Sequence, residues 1–314
     1  MTTLFDTAAH LDRLADWGVL SAQGEDATRF LQGQLTNDVA LMPEGTARLS
    51  GYCSAKGRLM ASFVVLKNAP DHYLLLMSAD LLLGIQKRLQ MFVMRAKCTL
   101  KDETSGWSLV GVTGGTTLPE MADWSCRADG AARLIRLPSG EAKQGLLIQP
   151  KAVDGADPHA ELPVITPGGV VGPWPFHRAM SGVPMVTQAT AELFVPQMIN
   201  YESVQGVSFK KGCYPGQEVV ARSQFRGAIK RRAAVFTLAD PERAHAVAPG
   251  QSVFAGGEPD AVCGTVASVG YLDGQWALTV SLQTAAASGP IFLGSDVGPR
   301  LMPVPLPYPI LDDI

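Results

Sequence analysis

FKKGCYPGQEVVARSQFRGAIKRR, running from Phe209 to Arg232, is the stretch from which the rest of this chain can be read. A lysine pair, two glycines, a cysteine, a proline and a Gln-Glu pair fall within its first ten residues. Seven cations (Lys210, Lys211, Arg222, Arg226, Lys230, Arg231, Arg232) stand against one acid, Glu218, in a chain whose net charge is −3. A local inversion of sign marks either an anion-binding surface or a solvated, salt-bridged face. Gly212 and Gly216 bracket Cys213, Tyr214 and Pro215, so the backbone there can turn sharply and approach a neighbour closely. Lys211 and Cys213 lie two apart and share a face if the segment is extended. A neighbouring ammonium raises the thiolate fraction of a cysteine. The plainer reading makes Cys213 a small packed residue and leaves the lysines in solvent.

Working outward, 314 residues exceed what one core organises and predict two or three domains. With 46% apolar and 18% charged residues the composition is that of a folded globular chain. The longest apolar runs, Leu74–Met77 and Leu81–Leu83, are broken by Asp80 and Gly84. They fall far short of the roughly 20 residues a membrane span requires, so no membrane partner is expected. The first residues, MTTLFDTAAHLDRLADW, lack a basic start followed by an apolar stretch, and no export signal is expected. Five scattered cysteines without a CxxC pair, and five histidines, argue against a disulfide framework, a zinc site or a cluster held by this chain alone. A reduced, cytoplasmic protein with no metal of its own is the expectation.

Taken in order, Asp26 is placed to cap a helix carrying Ala27, Phe30, Leu31 and Leu35. A period of two then predicts strands at Arg48–Cys53, Gly57–Leu66 and His72–Met77. A helix follows from Asp80 with Leu81, Ile85, Leu89 and Phe92 on one stripe. Further strands are predicted at 96–102, 107–113, 131–137 and 144–149, with a short helix near 118–124. Residues 151–175, rich in Pro and Gly, read as a connection, and a helix over Trp174–Ser181 follows it. Beyond residue 230, short apolar strands separated by turns predict a small β-barrel, with Met302–Pro309 strapped onto it. The fold class is therefore α+β, antiparallel sheet-and-helix layers followed by a C-terminal β-barrel.

Several stretches together resemble one family. Lys211-Gly212-Cys213-Tyr214-Pro215-Gly216-Gln217-Glu218 fits the K-G-C-[FY]-x-G-Q-E signature of YgfZ-type folate-binding proteins, within the glycine-cleavage T-protein superfamily. Val219–Arg222 and Phe225–Gly227 agree on its flank. Arg29–Asp38 (RFLQGQLTND), Ala55–Arg58 (AKGR) and Ser181–Pro184 (SGVP) look like the superfamily's other motifs. The resemblance covers about residues 24–232, and its eight-residue signature is the specific part. It implies three domains in a ring around a folate cleft: residues 1–48 with 172–228, then 49–171, then a barrel at 229–314. It also implies bound tetrahydrofolate and support of iron–sulfur client proteins, including enzymes that modify tRNA, so that tRNA enters only indirectly. Lys211 and Cys213 would be the working pair. Lys211, Cys213, Tyr214, Gln217, Glu218, Arg222 and Arg226 would contact the folate, whose glutamyl tail suits Arg and Lys.

Three positions depart from the aminomethyltransferases of the superfamily. Their acidic pair after the strand-turn glycine is Ala61 and Ser62 here, and their pterin-holding glutamate is Met180. A methionine accepts no such N–H bond. The departures point to a factor that transfers no aminomethyl group. The competing readings are a transferase whose site has recruited Glu202 or Glu218 as base, and a tRNA-binding module on the Lys210–Arg232 stripe. Trp174 reads either as cleft wall or as core, and His177 and Arg178 border the same region.

Overall fold

Two residues, Ala15 and Asp16, separate strands that enter different sheets. In the computed structural model, which describes residues 8–115, 118–226, 229–243, 245–257 and 260–311, β1 (His10–Leu14) joins one open sheet and β2 (Trp17–Gln23) another. The chain then forms α1 (Ala27–Gln32), β3 (Ala47–Cys53), β4 (Leu59–Ala69), β5 (His72–Ser78), α2 (Ala79–Val93) and β6 (Thr99–Asp102). These complete a five-stranded antiparallel sheet of order β3-β4-β5-β2-β6. Strands β4 and β5 are buried along most of their length, with apolar residues on both faces. Helix α2 contributes Leu81, Leu82, Ile85 and Leu89 to the same core as Val183, Val186, Ile199 and Tyr201. A sheet covered on both sides explains the near-continuous apolar runs.

The second sheet takes β7 (Trp107–Thr113), β8 (Cys126–Asp129), β9 (Ala132–Leu137), β10 (Gln144–Pro150) and β11 (Val164–Ile165). Its order is β11-β1-β7-β10-β9-β8, and β11 pairs parallel to β1 through Arg13↔Val164 and Leu14↔Ile165. Helices α3 (Pro173–Met180) and α4 (Gln217–Phe225) lie in the segment that leads to the third unit. That unit is a closed barrel of β12 (Arg231–Ala239), β13 (Ser252–Ala255), β14 (Val262–Leu272), β15 (Gln275–Gln283), β16 (Ile291–Leu293) and β17 (Arg300–Val304).

Helix α3 is the wedge between barrel and sheet. Trp174 lies on Gly111 of β7, where a Cβ would stand 2.4 Å from the indole, and Gly270 of β14 lets the helix start approach just as closely. Thr279 Oγ1 donates to Ala179 O at 2.7 Å, and Gly172 N–H to Tyr271 O at 2.9 Å. At roughly 25 cal/mol per Å2, an indole burying about 200 Å2 contributes on the order of 5 kcal/mol, so Trp174 is a main fastening of this junction. A second fastening is Asn200, held left-handed at φ 57°. Its side-chain amide donates to Ala233 O and accepts from Ala233 N–H, both at 3.0 Å, which docks β12 against the segment before the signature.

Several local expectations are corrected. Asp26 makes no side-chain cap to α1; its Oδ2 accepts the Lys97 N–H at 2.8 Å, tying the helix start to the approach to β6. Phe92 leaves the α2 stripe and is 46% exposed. The helix expected near 118–124 is a single 3₁₀ turn at Leu118–Glu120, because Trp124 turns left-handed at φ 64° and ends any helical run. The connection at 151–175 contains β11, and strand β8 was not expected at all. The expected boundary at residue 48 falls inside β3, whereas sheet membership groups 17–102 on one side and 10–14 with 107–165 on the other. The boundary at 228, and Gly227 of the flanking motif, lie outside the described residues.

Candidate functional site

Two places carry chemistry, and the first is the signature turn. Lys211 is buried, 8% exposed, and its ammonium donates to Gln32 O and, at 2.5 Å, to Leu35 O. These carbonyls close the end of α1 and its following turn, where backbone acceptors lack helical partners and a cation is favoured. The ammonium also stands 5.0 Å from the centre of the Tyr214 ring. Burial pulls Lys211 down to about 8, while Asp38 opposes the shift. The Tyr214 phenol is buried too, and burial next to Cys53 pushes it upward. Lys211 therefore joins the signature to the Arg29–Asp38 motif.

A second joint fixes the other end of the turn. Gly216, at φ 79°, presses on the β3–β4 turn, where a Cβ would come within 2.4 Å of Ser54 O and 2.7 Å of Gly57 Cα. Gly57 is itself left-handed at φ 71° and faces Val219 of α4. Two motif glycines thus meet backbone to backbone. The Arg29–Asp38 motif is further tied to β3 and to the segment before the signature by Thr36, whose Oγ1 accepts Gly51 N–H at 2.7 Å and donates to Gly206 O at 2.7 Å. Asn37 Nδ2 bridges Leu49 O and Gln205 O.

Between these joints the turn faces outward. Cys213 is exposed, and Gly212 has open space where a side chain would go. Lys211 is therefore buried and Cys213 open to solvent, while the thiol still lies close enough to favour the ammonium. Gln217 is half-buried at the start of α4, Glu218 pairs with Arg222 at 2.7 Å, and Arg226 is exposed. The basic run is less basic at its surface than in its sequence. Lys211 and Arg232 are buried, Arg232 against the equally buried Glu202. The two carboxylates that a rearranged transferase site would recruit, Glu202 and Glu218, are thus both held in ion pairs. Lys210, next to the turn, borders a cavity of about 460 Å³ together with Asn37, Arg48, Phe209 and Phe225.

The second place is a cavity of about 250 Å³ bounded by the five-stranded sheet, α3 and the barrel. Its wall includes Asp16 and Trp17 from the link between the open sheets, Asp80 from α2, Trp174 and Arg178 from α3, and Ser268 from the barrel. Trp17 and Trp174 stand edge to face, ring centres 6.4 Å apart. The Arg178 guanidinium stacks 6.0 Å from the Trp174 ring, donates to Val183 O at 2.8 Å, and is drawn down to about 10 by burial. Asp80 accepts from Ser78 Oγ at 2.6 Å and from Gln188 N–H at 3.0 Å. Asp16 is pushed up to about 7, chiefly by burial and further by the charge of Asp80.

No signature residue lines this cavity. Trp174 does, so it is wall and core at once. Val183 and Pro184 of the SGVP element also line it. Ala61 is fully buried, and Ser62 Oγ accepts Val186 N–H at 2.9 Å beside a void of about 20 Å³ that shares Trp17 and Arg178 with the cavity. Met180 packs half-buried beside Phe176 and Ala277, and His177 stands edge-on to Phe176; neither lines the cavity. Sequence reasoning missed Asp16, Trp17 and Ser268. Nothing in the local sequence marks Asp16 or Ser268, whose placement depends on a link between sheets and on a bulge.

Comparison with known proteins accounts for this arrangement. Residues 8–135 match the GCVT N-terminal domain family. The tRNA-modifying protein YgfZ of Colwellia psychrerythraea is 32% identical over 240 residues, 73% of this chain and 71% of that protein. The chain belongs to the YgfZ family. Another YgfZ, from Serratia proteamaculans, is 28% identical over 317 residues, covering 96% of this chain and 92% of its relative, so the likeness runs through the barrel. Among solved structures, the glycine cleavage system aminomethyltransferase T of Bartonella henselae superposes with a TM-score of 0.63. It covers 97% of this chain and 86% of its own at 14% identity, which makes the fold common to both. This chain and that transferase share an architecture.

Proposed function

We propose that this YgfZ-type chain binds tetrahydrofolate and supports the assembly or repair of iron–sulfur proteins, including enzymes that modify tRNA, without transferring an aminomethyl group itself. The carrying observation is the division within the signature: Lys211 and Tyr214 are buried fasteners, and Cys213 is held out to solvent on a turn locked at both ends. A thiol presented in that way is placed to meet a client protein. The relatives' name, tRNA-modifying protein, supports the connection to tRNA.

The residues present fit a reduced folate. The central cavity offers an apolar wall with two indoles and buried polar atoms, in a volume just under the roughly 300–1,000 Å³ of ordinary ligand sites. That suits a pterin head better than a whole folate. Lys210 and Arg48 border the larger cavity beside the signature, and Arg222 and Arg226 stand on the exposed side of α4, so cations are available to a glutamyl tail. Lys211, Tyr214, Gln217 and Glu218 shape the turn that the ligand would meet. When bound, a reduced folate supplies an electron-rich pterin able to carry a one-carbon unit. The chain's own part is to hold that ring away from water and to present Cys213.

The test replaces the chain, in cells lacking it, with wild type or Cys213→Ala. The variant is expected to unfold at the wild-type temperature, because the side chain is exposed. It should nevertheless fail to restore the activity of an iron–sulfur enzyme and the modified nucleosides of tRNA. Full restoration by Cys213→Ala refutes the role of the thiol. Calorimetric titration with mono- and polyglutamylated tetrahydrofolate tests the ligand, with tighter binding expected for the longer tail.

A further inference from the structure

Among the described residues, two side-chain atoms that line the central cavity are buried without any hydrogen-bond partner: Asp16 Oδ1 and Ser268 Oγ. Buried polar atoms are nearly always paired, and leaving one unpaired costs about 1–3 kcal/mol. Two such atoms facing one cavity from different sheets therefore ask for a common partner. The cavity's other charged groups are already engaged. Asp80 is satisfied by Ser78 and Gln188, and Arg178 donates to Val183 O and Pro138 O. The remaining wall, from residues 167–170 and 183–189, carries no charged side chain.

The backbone places both orphans deliberately. Asp16 lies in the two-residue link between β1 and β2, pinned by Ala15 N–H to Ile165 O at 2.9 Å and by Ala79 N–H to its own carbonyl at 2.9 Å. Ser268 follows a bulge in β14, where the register with β15 shifts between Val266 and Ser268. Bulges re-aim side chains, and this one opens the Ala267–Val269 stretch onto the cavity. The indoles of Trp17 and Trp174 line the same cavity.

We propose that Asp16 and Ser268 together read the amino-oxo-pyrimidine edge of a reduced pterin, with Asp16 standing in for the glutamate absent at Met180. This rests on the folate reading above and assigns residues to it. A carboxylate has lone pairs for two adjacent N–H donors, the pattern that edge presents, and Ser268 Oγ can donate to or accept from the same ring. The indoles supply the apolar walls. Burial leaves the Asp16 carboxyl near half-protonated at neutral pH in the free protein. Two N–H donors from a ligand favour its ionised form, so binding releases a proton. The sign follows: affinity is full above about pH 7 and falls as the pH drops below it.

The experiment is anaerobic calorimetric titration of the full chain with tetrahydrofolate between pH 5.5 and 8, for wild type, Asp16→Asn and Ser268→Ala. Wild-type affinity is expected to weaken about tenfold per pH unit below 7. Asp16→Asn should bind on the order of 10–100-fold more weakly with a flat pH profile, and Ser268→Ala several-fold more weakly with the wild-type profile. Wild type that binds with no pH dependence, or an Asp16→Asn variant with wild-type affinity, overturns this assignment and leaves folate binding standing. Absence of binding by wild type at every pH overturns both.

Discussion

Replacing Gly216 by alanine tests whether the signature is held by contact between motifs. At φ 79° the residue sits in the left-handed region, which costs an alanine about 1–2 kcal/mol. The new methyl would lie 2.4 Å from Ser54 O and 2.7 Å from Gly57 N and Cα. All three are backbone atoms of a tight turn, and Gly57 is also packed against Val219 of α4. Overpacking of that kind costs about 1–3 kcal/mol, so the sum is about 2–5 kcal/mol. Gly212→Ala is the internal control. It lies four residues earlier in the same signature, has no heavy atom within 4 Å of its Cβ position, and should stay within about 0.5 kcal/mol of wild type. Urea unfolding followed by circular dichroism and tryptophan fluorescence reads both variants, compared at the first transition because the chain contains several cores. Accessibility of Cys213 to a thiol reagent reads whether the turn has shifted. A Gly216→Ala midpoint equal to that of Gly212→Ala would refute the claim that the two turns are pressed together.

Three further outcomes follow from the packing. Lys211 is held at about 8 against its usual 10.5. The unfolded chain therefore binds more protons at this site between those values, and the Lys211 contribution to stability rises with pH across that window. Chemical denaturation from pH 7 to 10.5 should show wild type gaining on Lys211→Met as the pH rises, while the thiols of Cys53, Cys98 and Cys126, held well above 9 by burial, cost both proteins stability at the alkaline end. Glu202→Ala removes the buried carboxylate paired with Arg232, whose guanidinium keeps its bond to Leu311 O, and should cost about 1–3 kcal/mol, most of it recovered by adding Arg232→Met in a double-mutant cycle. Gly111→Ala puts a methyl against the Trp174 ring, 2.4 Å away in the present packing, and should cost about 1–3 kcal/mol. Its tryptophan emission should shift as the indole is pushed toward the central cavity, and an unchanged spectrum would count against the stacking of Trp174 on Gly111.

The strands of this chain were largely legible because alternation and turn residues act locally. Strand β7 coincides with its prediction from Trp107 to Thr113, and β3, β4 and β5 lie within three residues of theirs. Strand β11 was hidden, since two residues carry no period and gain their pairing from a partner at the far end of the sequence. The signature could be recognised but its wiring could not. A lysine in a run of cations reads as solvated, and nothing in its surroundings announces that the carbonyls of Gln32 and Leu35 need a donor. The same holds for Asp26, whose carboxylate serves Lys97 rather than its own helix. Asp16 and Ser268 were invisible for a related reason. Each is a lone polar residue whose meaning depends on a link between sheets and on a bulge, and neither feature leaves a pattern in the local sequence.

The central cavity draws its walls from residues 16–17, 78–80, 167–189, 249 and 267–269, so it spans most of the order in which the chain is made. During synthesis, when N-terminal units fold first, the two open sheets can form while the barrel is still in the ribosome. Their shared junction would then be bare, with Trp17 and Trp174 facing water until β14 arrives. Closure of this cavity is therefore a late event in the life of the nascent chain. Its completion reports that the last unit has docked, and a chain truncated before residue 267 would carry the whole signature yet have no closed place for a ligand.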